Sequence, residues 1–305
     1  MLLFRSIQAG WKTAGKSDRL LLLFYLASLV YASIAATSLY WVGRTELNFS
    51  LTGASLAGRF DLSGVLEFML RHYDFLVGSG AAIIGVVGLY MLLSVFLSGG
   101  TISLFVSGRT RYDAALFWGN CGYYFSPFVL LAILSACLYA LLFWGLFPGL
   151  SALLRIWLGE VTANSISAVV NLAVASFVFT IADFAKVNLV ITGERHVFST
   201  FGSALAVFFK HIVLSLSFLL SFLAMNAFLY LLFSFLSDFL QAPTVVALLA
   251  LVTLQQVYIV LRLKLRLTFW ATLVELHPHL FLKMPSDMYK SLKKGKATKG
   301  KEADK

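Results

Sequence analysis

Six long apolar runs in this chain contain no aspartate, glutamate, lysine, arginine or histidine at all; they fall at about 20–42, 75–98, 128–146, 161–182, 212–237 and 243–261. Proton relays, ion-coupled carriers and voltage sensors hold ionisable groups at membrane depth, so this absence argues against those classes. Charge is scarce throughout: 12% of the 305 residues are charged against 60% hydrophobic, with a mean hydropathy of +0.87. Soluble domains carry about 25% charged residues, which excludes a water-soluble core. Proline is rare at 5 residues while phenylalanine reaches 28, a balance that suits lipid-facing helices rather than a Pro/Gly-rich all-β protein. Only two cysteines are present, Cys121 and Cys137. On one helix they would lie about 24 Å apart, too far for a disulfide, and both read as small buried hydrophobes.

What is there is an all-α plan: a polytopic membrane protein with six transmembrane helices and amphipathic helices lying at the interface. Each apolar run approaches or exceeds the roughly 20 residues needed to cross about 30 Å of hydrocarbon. A single membrane domain over 1–282 and a disordered basic tail over 283–305, ending KSLKKGKATKGKEADK, account for the whole length. Before the first run, Phe4, Ile7 and Trp11 recur at helical spacing among Arg5, Lys12, Lys16 and Arg19, which predicts a helix lying on an anionic leaflet. The mixed-charge stretch 44–74 reads as a loop, with a short hairpin over Leu47–Phe60 and a helical turn capped by Ser63. Gly99-Gly100 reads as the end of the second span and Ala81-x-x-x-Gly85 as a close-approach spacing. A second interfacial helix follows, with Ala114, Phe117, Trp118, Cys121 and Phe125 on one face, and Pro127 is expected to separate it from the third span. Pro148, Gly149, Arg155, Trp157 and Glu160 read as an outer loop, and the fourth span is expected to end at Asp183. A third amphipathic stretch, Phe198 to Phe209, precedes span five; Asp238, Gln241 and Pro243 then form an outer turn before span six, which leads into the basic collar Arg262, Lys264 and Arg266.

Orientation follows from the cations. With both termini in the cytoplasm, 20 of the 24 Lys and Arg residues lie inside, and only Arg44, Arg59, Arg71 and Arg155 lie outside. The positive-inside rule therefore selects an even number of spans in a cytoplasmic (inner) membrane. Ser107-Gly-Arg-Thr-Arg and Thr192-Gly-Glu-Arg-His stand 85 residues apart, each between a span and an amphipathic segment, which suggests three repeated two-helix units.

No metalloprotease, serine-hydrolase or phosphate-loop motif occurs, and no pair of carboxylates lies at membrane depth, so the chain reads as non-enzymatic. No residue set points to a cofactor. His277-Pro-His279, with Glu275 as its only neighbour, lacks the ligands of a metal site and reads as an accidental pair. The strongest polar groups inside the spans are Asn171, Asn226, Gln255 and Gln256, which read as helix-to-helix glue. Arg109, Arg111, Arg262, Lys264 and Arg266 are candidate contacts to lipid headgroups, and Asp183 with Lys186 a candidate ion pair at the membrane surface.

Three local patterns carry a resemblance: Phe96-Leu-Ser-Gly99-Gly100, Phe117-Trp-Gly-Asn-Cys121-Gly-Tyr-Tyr124-Phe125, and Asp183-Phe-Ala-Lys186 followed by Glu194-Arg195. Through them the chain resembles a broad set of uncharacterised six-helix bacterial membrane proteins. It is similar in plan to the membrane domain attached to some glycerophosphodiester phosphodiesterases. Their catalytic domain is absent from this sequence, so the resemblance implies a topology and no chemistry. The functional expectation is a scaffold or accessory subunit whose basic face meets anionic lipid headgroups or a protein partner, with nucleic acid disfavoured. The alternative is a component of a transport or lipid-translocation system for an uncharged or amphipathic cargo. An internal path lined by Asn171, Asn226 and Gln255 would favour that alternative, and a tightly packed bundle the first reading.

Overall fold

In hydrocarbon no water is present to satisfy backbone N–H and C=O groups, so an apolar run must close its hydrogen bonds internally as a helix. A computed structural model of the chain describes residues 2–47, 73–108, 113–193, 196–240 and 245–281, and every regular element among them is helical. In chain order they are α1 (Leu2–Ala14), α2 (Asp18–Leu47), α3 (Tyr73–Ser107), α4 (Ala114–Leu158), α5 (Glu160–Thr192), α6 (Val197–Lys210), α7 (Ile212–Asp238) and α8 (Val245–Phe281). Six of these, α2, α3, α4, α5, α7 and α8, are long and apolar enough to cross a membrane, and the protein is a multi-pass membrane protein. Helix α2 reaches Leu47, the first residue of the expected hairpin; the rest of the hairpin and the Ser63 turn fall outside the described residues, as do Arg109, Arg111, Glu194, Arg195, the outer turn at Gln241 and Pro243, and the lysine-rich tail.

Several expected stops are not stops. Helix α3 runs through Gly99-Gly100 to Ser107, because those glycines serve a close approach instead of a cap. A Cβ on Gly100 would stand 2.7 Å from the Phe117 carbonyl oxygen and 2.6 Å from Cys121 Sγ. Helix α4 continues through both Pro127 and Pro148, so the second amphipathic segment is one with the third span and the expected outer loop is helical as far as Leu158. Proline removes one backbone donor, whereas breaking the helix would strand several groups where no water can satisfy them. A single residue, Gly159 with φ +76°, then joins α4 to α5. The first and third amphipathic segments are separate helices and the second is not, so the three units are not built alike. Helix α5 does not end at Asp183 but continues to Thr192, and α8 passes the basic collar and Pro278 to reach Phe281.

These extensions exceed the bilayer. At about 1.5 Å per residue α8 is roughly 55 Å long and α5 roughly 50 Å, against about 30 Å of hydrocarbon. The chain forms two compact units, Leu22–Ser94 and the combination of Met1–Leu21 with Val95–Lys305. Within the first, α2 meets α3 through the Ser28 and Tyr90 hydroxyls at 2.9 Å and the edge-on rings of Tyr31 and Tyr90. Gly85 has no atom within 4 Å of a Cβ position, so the small-residue spacing there carries no close helix contact.

In the larger unit the packed core sits at one end of the long helices. Val246, Leu248, Leu249, Val252 and Val257 in the first half of α8 are exposed, while Leu263, Leu267, Trp270, Leu273 and Leu276 are buried. Helix α5 repeats the division, with Val169 and Leu172 exposed and Ile181, Ala185 and Leu189 buried. The exposed halves are apolar and suit lipid; the buried halves are each covered by a neighbouring helix. Phe184 of α5, Phe208 of α6, Phe218 and Phe222 of α7 and Phe269 of α8 form one connected aromatic cluster.

Helix α1 closes onto α8 through Ser6, Gly10 and Ala14, a buried stripe of small residues at a spacing of four. A Cβ on Gly10 would fall 2.8 Å from the Thr272 amide nitrogen, so the two backbones nearly touch. The expected apolar face of α1 therefore does not enter the protein: Phe4 and Trp11 remain exposed beside it. Cys121 is buried as expected, but Cys137 lies exposed on the apolar flank of α4.

Gly100→Ala should destabilise the bundle by about 1–3 kcal/mol, as overpacking against a fixed carbonyl does. Gly122→Ala, where a Cβ meets nothing within 4 Å, should be neutral or stabilising by up to about 1 kcal/mol. Monodispersity after graded heating in detergent reads the difference; equal melting of the two variants would contradict the close approach.

Candidate functional site

A buried amide or imidazole in the packed end needs a partner among the helices that bury it. Asn188 on α5 and His277 on α8 are both buried, and His277 Nε2 stands 3.0 Å from Asn188 Oδ1. Asn188 Nδ2 donates to Ser203 Oγ on α6 at 3.1 Å, and the Ser203 hydroxyl donates to the Thr200 carbonyl at 2.8 Å. The Ser203 proton is committed to that carbonyl, so its oxygen accepts the Asn188 amide, which leaves the Asn188 oxygen facing the imidazole. His277 Nε2 therefore carries a proton and donates it to Asn188. One chain of hydrogen bonds thus ties α8, α5 and α6 together.

A related bond joins α4 to α3: Asn120 Nδ2 donates to Ser103 Oγ at 2.7 Å. Ser103 and Asn188 occupy positions 85 residues apart, the same offset that separates Ser107 from Thr192. Asn120 directly precedes the buried Cys121, and Ser203 directly precedes the buried Ala204. The same register of the repeat therefore carries an amide-to-hydroxyl bond twice, with the two residue types exchanged between the long helix and its amphipathic cover.

Asp183 and Lys186 meet at 2.8 Å one turn apart on α5, with side chains 19% and 12% exposed. The ion pair expected from sequence is formed; the helix continues past both residues, and both side chains are only partly exposed. Removing one member would leave the other charge where solvation is poor. The basic collar is held by indoles. Lys264 Nζ lies 4.9 Å from the ring centre of Trp11 on α1, and the Arg266 guanidinium lies 4.9 Å from that of Trp270 on α8. Arg262 and Arg266 are exposed and Lys264 is half-buried.

The four amides singled out in the sequence, Asn171, Asn226, Gln255 and Gln256, do not converge. Asn171 on α5 accepts a 2.7 Å bond from the Tyr139 hydroxyl on α4, a helix-to-helix contact. Asn226 is exposed and donates back to the Phe222 carbonyl of its own helix, while Gln255 is exposed and Gln256 half-buried on α8. Among the described residues no group of three or more His, Cys, Asp or Glu side chains is placed to hold a metal ion.

Sequence reading took His277 for half of an accidental pair and missed the hydrogen bonds of Asn188, Ser203, Asn120 and Ser103. The pairing of His277 with a residue 89 positions away leaves no local trace. The 85-residue offset would have placed Ser103 opposite Asn188 and was the one usable signal. Comparison with known proteins adds nothing to this geometry: no family model, curated protein or solved structure matches the chain.

Asn188→Ala leaves the Ser203 oxygen and the His277 Nε2 proton buried without their partner and should lower stability by about 1–3 kcal/mol. In a double-mutant cycle with His277→Ala the two losses should be clearly non-additive, read as thermal midpoints in detergent; strict additivity would show that the bond contributes nothing.

Proposed function

We propose that the protein is a non-enzymatic membrane scaffold or accessory subunit of a bacterial inner membrane, with both termini cytoplasmic and a basic inner face that meets anionic lipid headgroups or a protein partner. The observation that carries this reading is the placement of the amides: Asn226 and Gln255 are exposed on separate helices and Asn171 is bonded to Tyr139, so these residues line no common path for a cargo. The polar contacts instead tie helices to one another at the packed end, where they favour a fixed shape. Orientation rests on the cation count, with 20 of 24 Lys and Arg residues on one side. The likeness in plan to the membrane domain of glycerophosphodiester phosphodiesterases belongs to the same proposal and lends it a topology only.

A charged maleimide applied to intact spheroplasts should label Thr52→Cys, and should label Lys293→Cys only after lysis, each compared with the unsubstituted chain. The reverse pattern would overturn the orientation. Solubilised in mild detergent, the chain should retain anionic phospholipid above its share of the membrane or a protein in fixed stoichiometry; retention of neither would overturn the scaffold reading.

A further inference from the structure

The edge formed by α1 and α8 carries an arrangement that the packing of the bundle does not require. Helix α1 is fixed to α8 by its small-residue stripe, which leaves Phe4 and its cationic side chains exposed and Trp11 partly so. Phe4 is 74% exposed and Trp11 40%, one interval of seven apart on the same helix, with Arg5, Lys12, Lys16 and Arg19 also exposed nearby. Lys264 reaches the Trp11 ring from α8, and the uncharged run of α8 ends at Leu261, three residues earlier. Trp11 is thereby set within about one helical turn of the hydrocarbon boundary, the depth at which tryptophan is enriched in membrane proteins. Its partner Lys264 and the adjacent Lys12, Arg262 and Arg266 lie at headgroup depth.

We infer that this edge is a binding site for an anionic phospholipid. The apolar Phe4 and the Trp11 ring would lie against the glycerol and upper acyl region, and Lys12, Lys264 and Arg266 would receive the phosphate and the charged headgroup. Two of those cations already rest on indole rings, at 4.9 Å each, so fewer rotamers are lost when an anion arrives than for unanchored side chains. Charge complementarity selects the occupant: the face presents cations and aromatic surface together, which fits an amphiphile with a negative head. An acidic soluble protein would be offered Phe4 and Trp11 at a depth that the bilayer already fills. This inference rests on the reading of a basic face turned toward lipid and assigns that face one ligand class and one place.

The test uses the purified full chain in vesicles of phosphatidylcholine containing a minor fraction of brominated phosphatidylglycerol or brominated phosphatidylcholine. Trp11 emission is isolated as the difference between wild type and Trp11→Phe. Brominated phosphatidylglycerol should quench that component more strongly at equal mole fraction, with an apparent preference of about fivefold for each cation engaged. Lys12→Gln, Lys264→Gln and Arg266→Gln combined should abolish the preference, and Lys293→Gln with Lys294→Gln should leave it intact. Equal quenching by the two lipids in wild type would overturn the site without recourse to any variant. So would a tail variant that removes the preference as fully as the edge variant, and so would a Trp11 component that neither lipid quenches, which would show the edge covered by protein. The vesicles contain neither partner nor cell envelope, so a reversed labelling pattern in spheroplasts would overturn the cytoplasmic orientation of the scaffold reading while leaving this result standing.

Discussion

A bilayer offers about 30 Å of medium without hydrogen-bond partners, and this chain answers with helices that are longer than the medium requires. The surplus decides the rest of the larger unit. Where α5 and α8 pass through lipid their side chains are exposed and apolar, and association there gains little, because a lipid tail is as apolar as a leucine. Where the same helices run on, they are buried among α1, α6 and α7, and the aromatic cluster and amide bonds gather at that end. Packing is thus concentrated at the boundary, where burial still removes apolar surface from water.

Each extended helix end acquires an amphipathic cover by a different local chemistry. The α3 end uses Gly100 against Phe117 and Cys121, the α5 end uses Phe184 against Phe208 with the Asn188 to Ser203 bond, and the α8 end uses Thr272 against Gly10. The exchanged Ser103–Asn120 and Asn188–Ser203 bonds sit at one register of the repeat. That correspondence supports a common plan, even though α4 joins cover and span in one helix where α6 and α7 remain two.

The number of spans and their approximate centres were legible because a charge-free run of this length has few other uses. Their ends were not. Asp183 with Lys186 looked like an exit from the membrane, yet the helix continues through both to Thr192. Gly99-Gly100 and Pro127 were read by local preference as a cap and a break; the fold uses the first as space for a neighbouring backbone and runs the helix through the second. The polar chain of His277, Asn188 and Ser203 stayed hidden because its members come from three helices, and an isolated histidine before a proline carries no mark of the partner it will meet. The collar of Arg262, Lys264 and Arg266 was visible as charge, but the indole that holds Lys264 arrives from the opposite end of the sequence.

That last pairing sets a timetable for biogenesis. Helix α1 leaves the ribosome about 260 residues before Thr272, the residue it fits against; at about 5–20 residues per second the wait is roughly tens of seconds. During it the glycine-centred groove of α1 has no occupant, so the nascent helix must be parked on the membrane surface by Phe4, Trp11 and its cations, or be shielded by the insertion machinery. Arrival of α8 then latches α1 in place, which makes emergence of the last described helix the event that closes this packing.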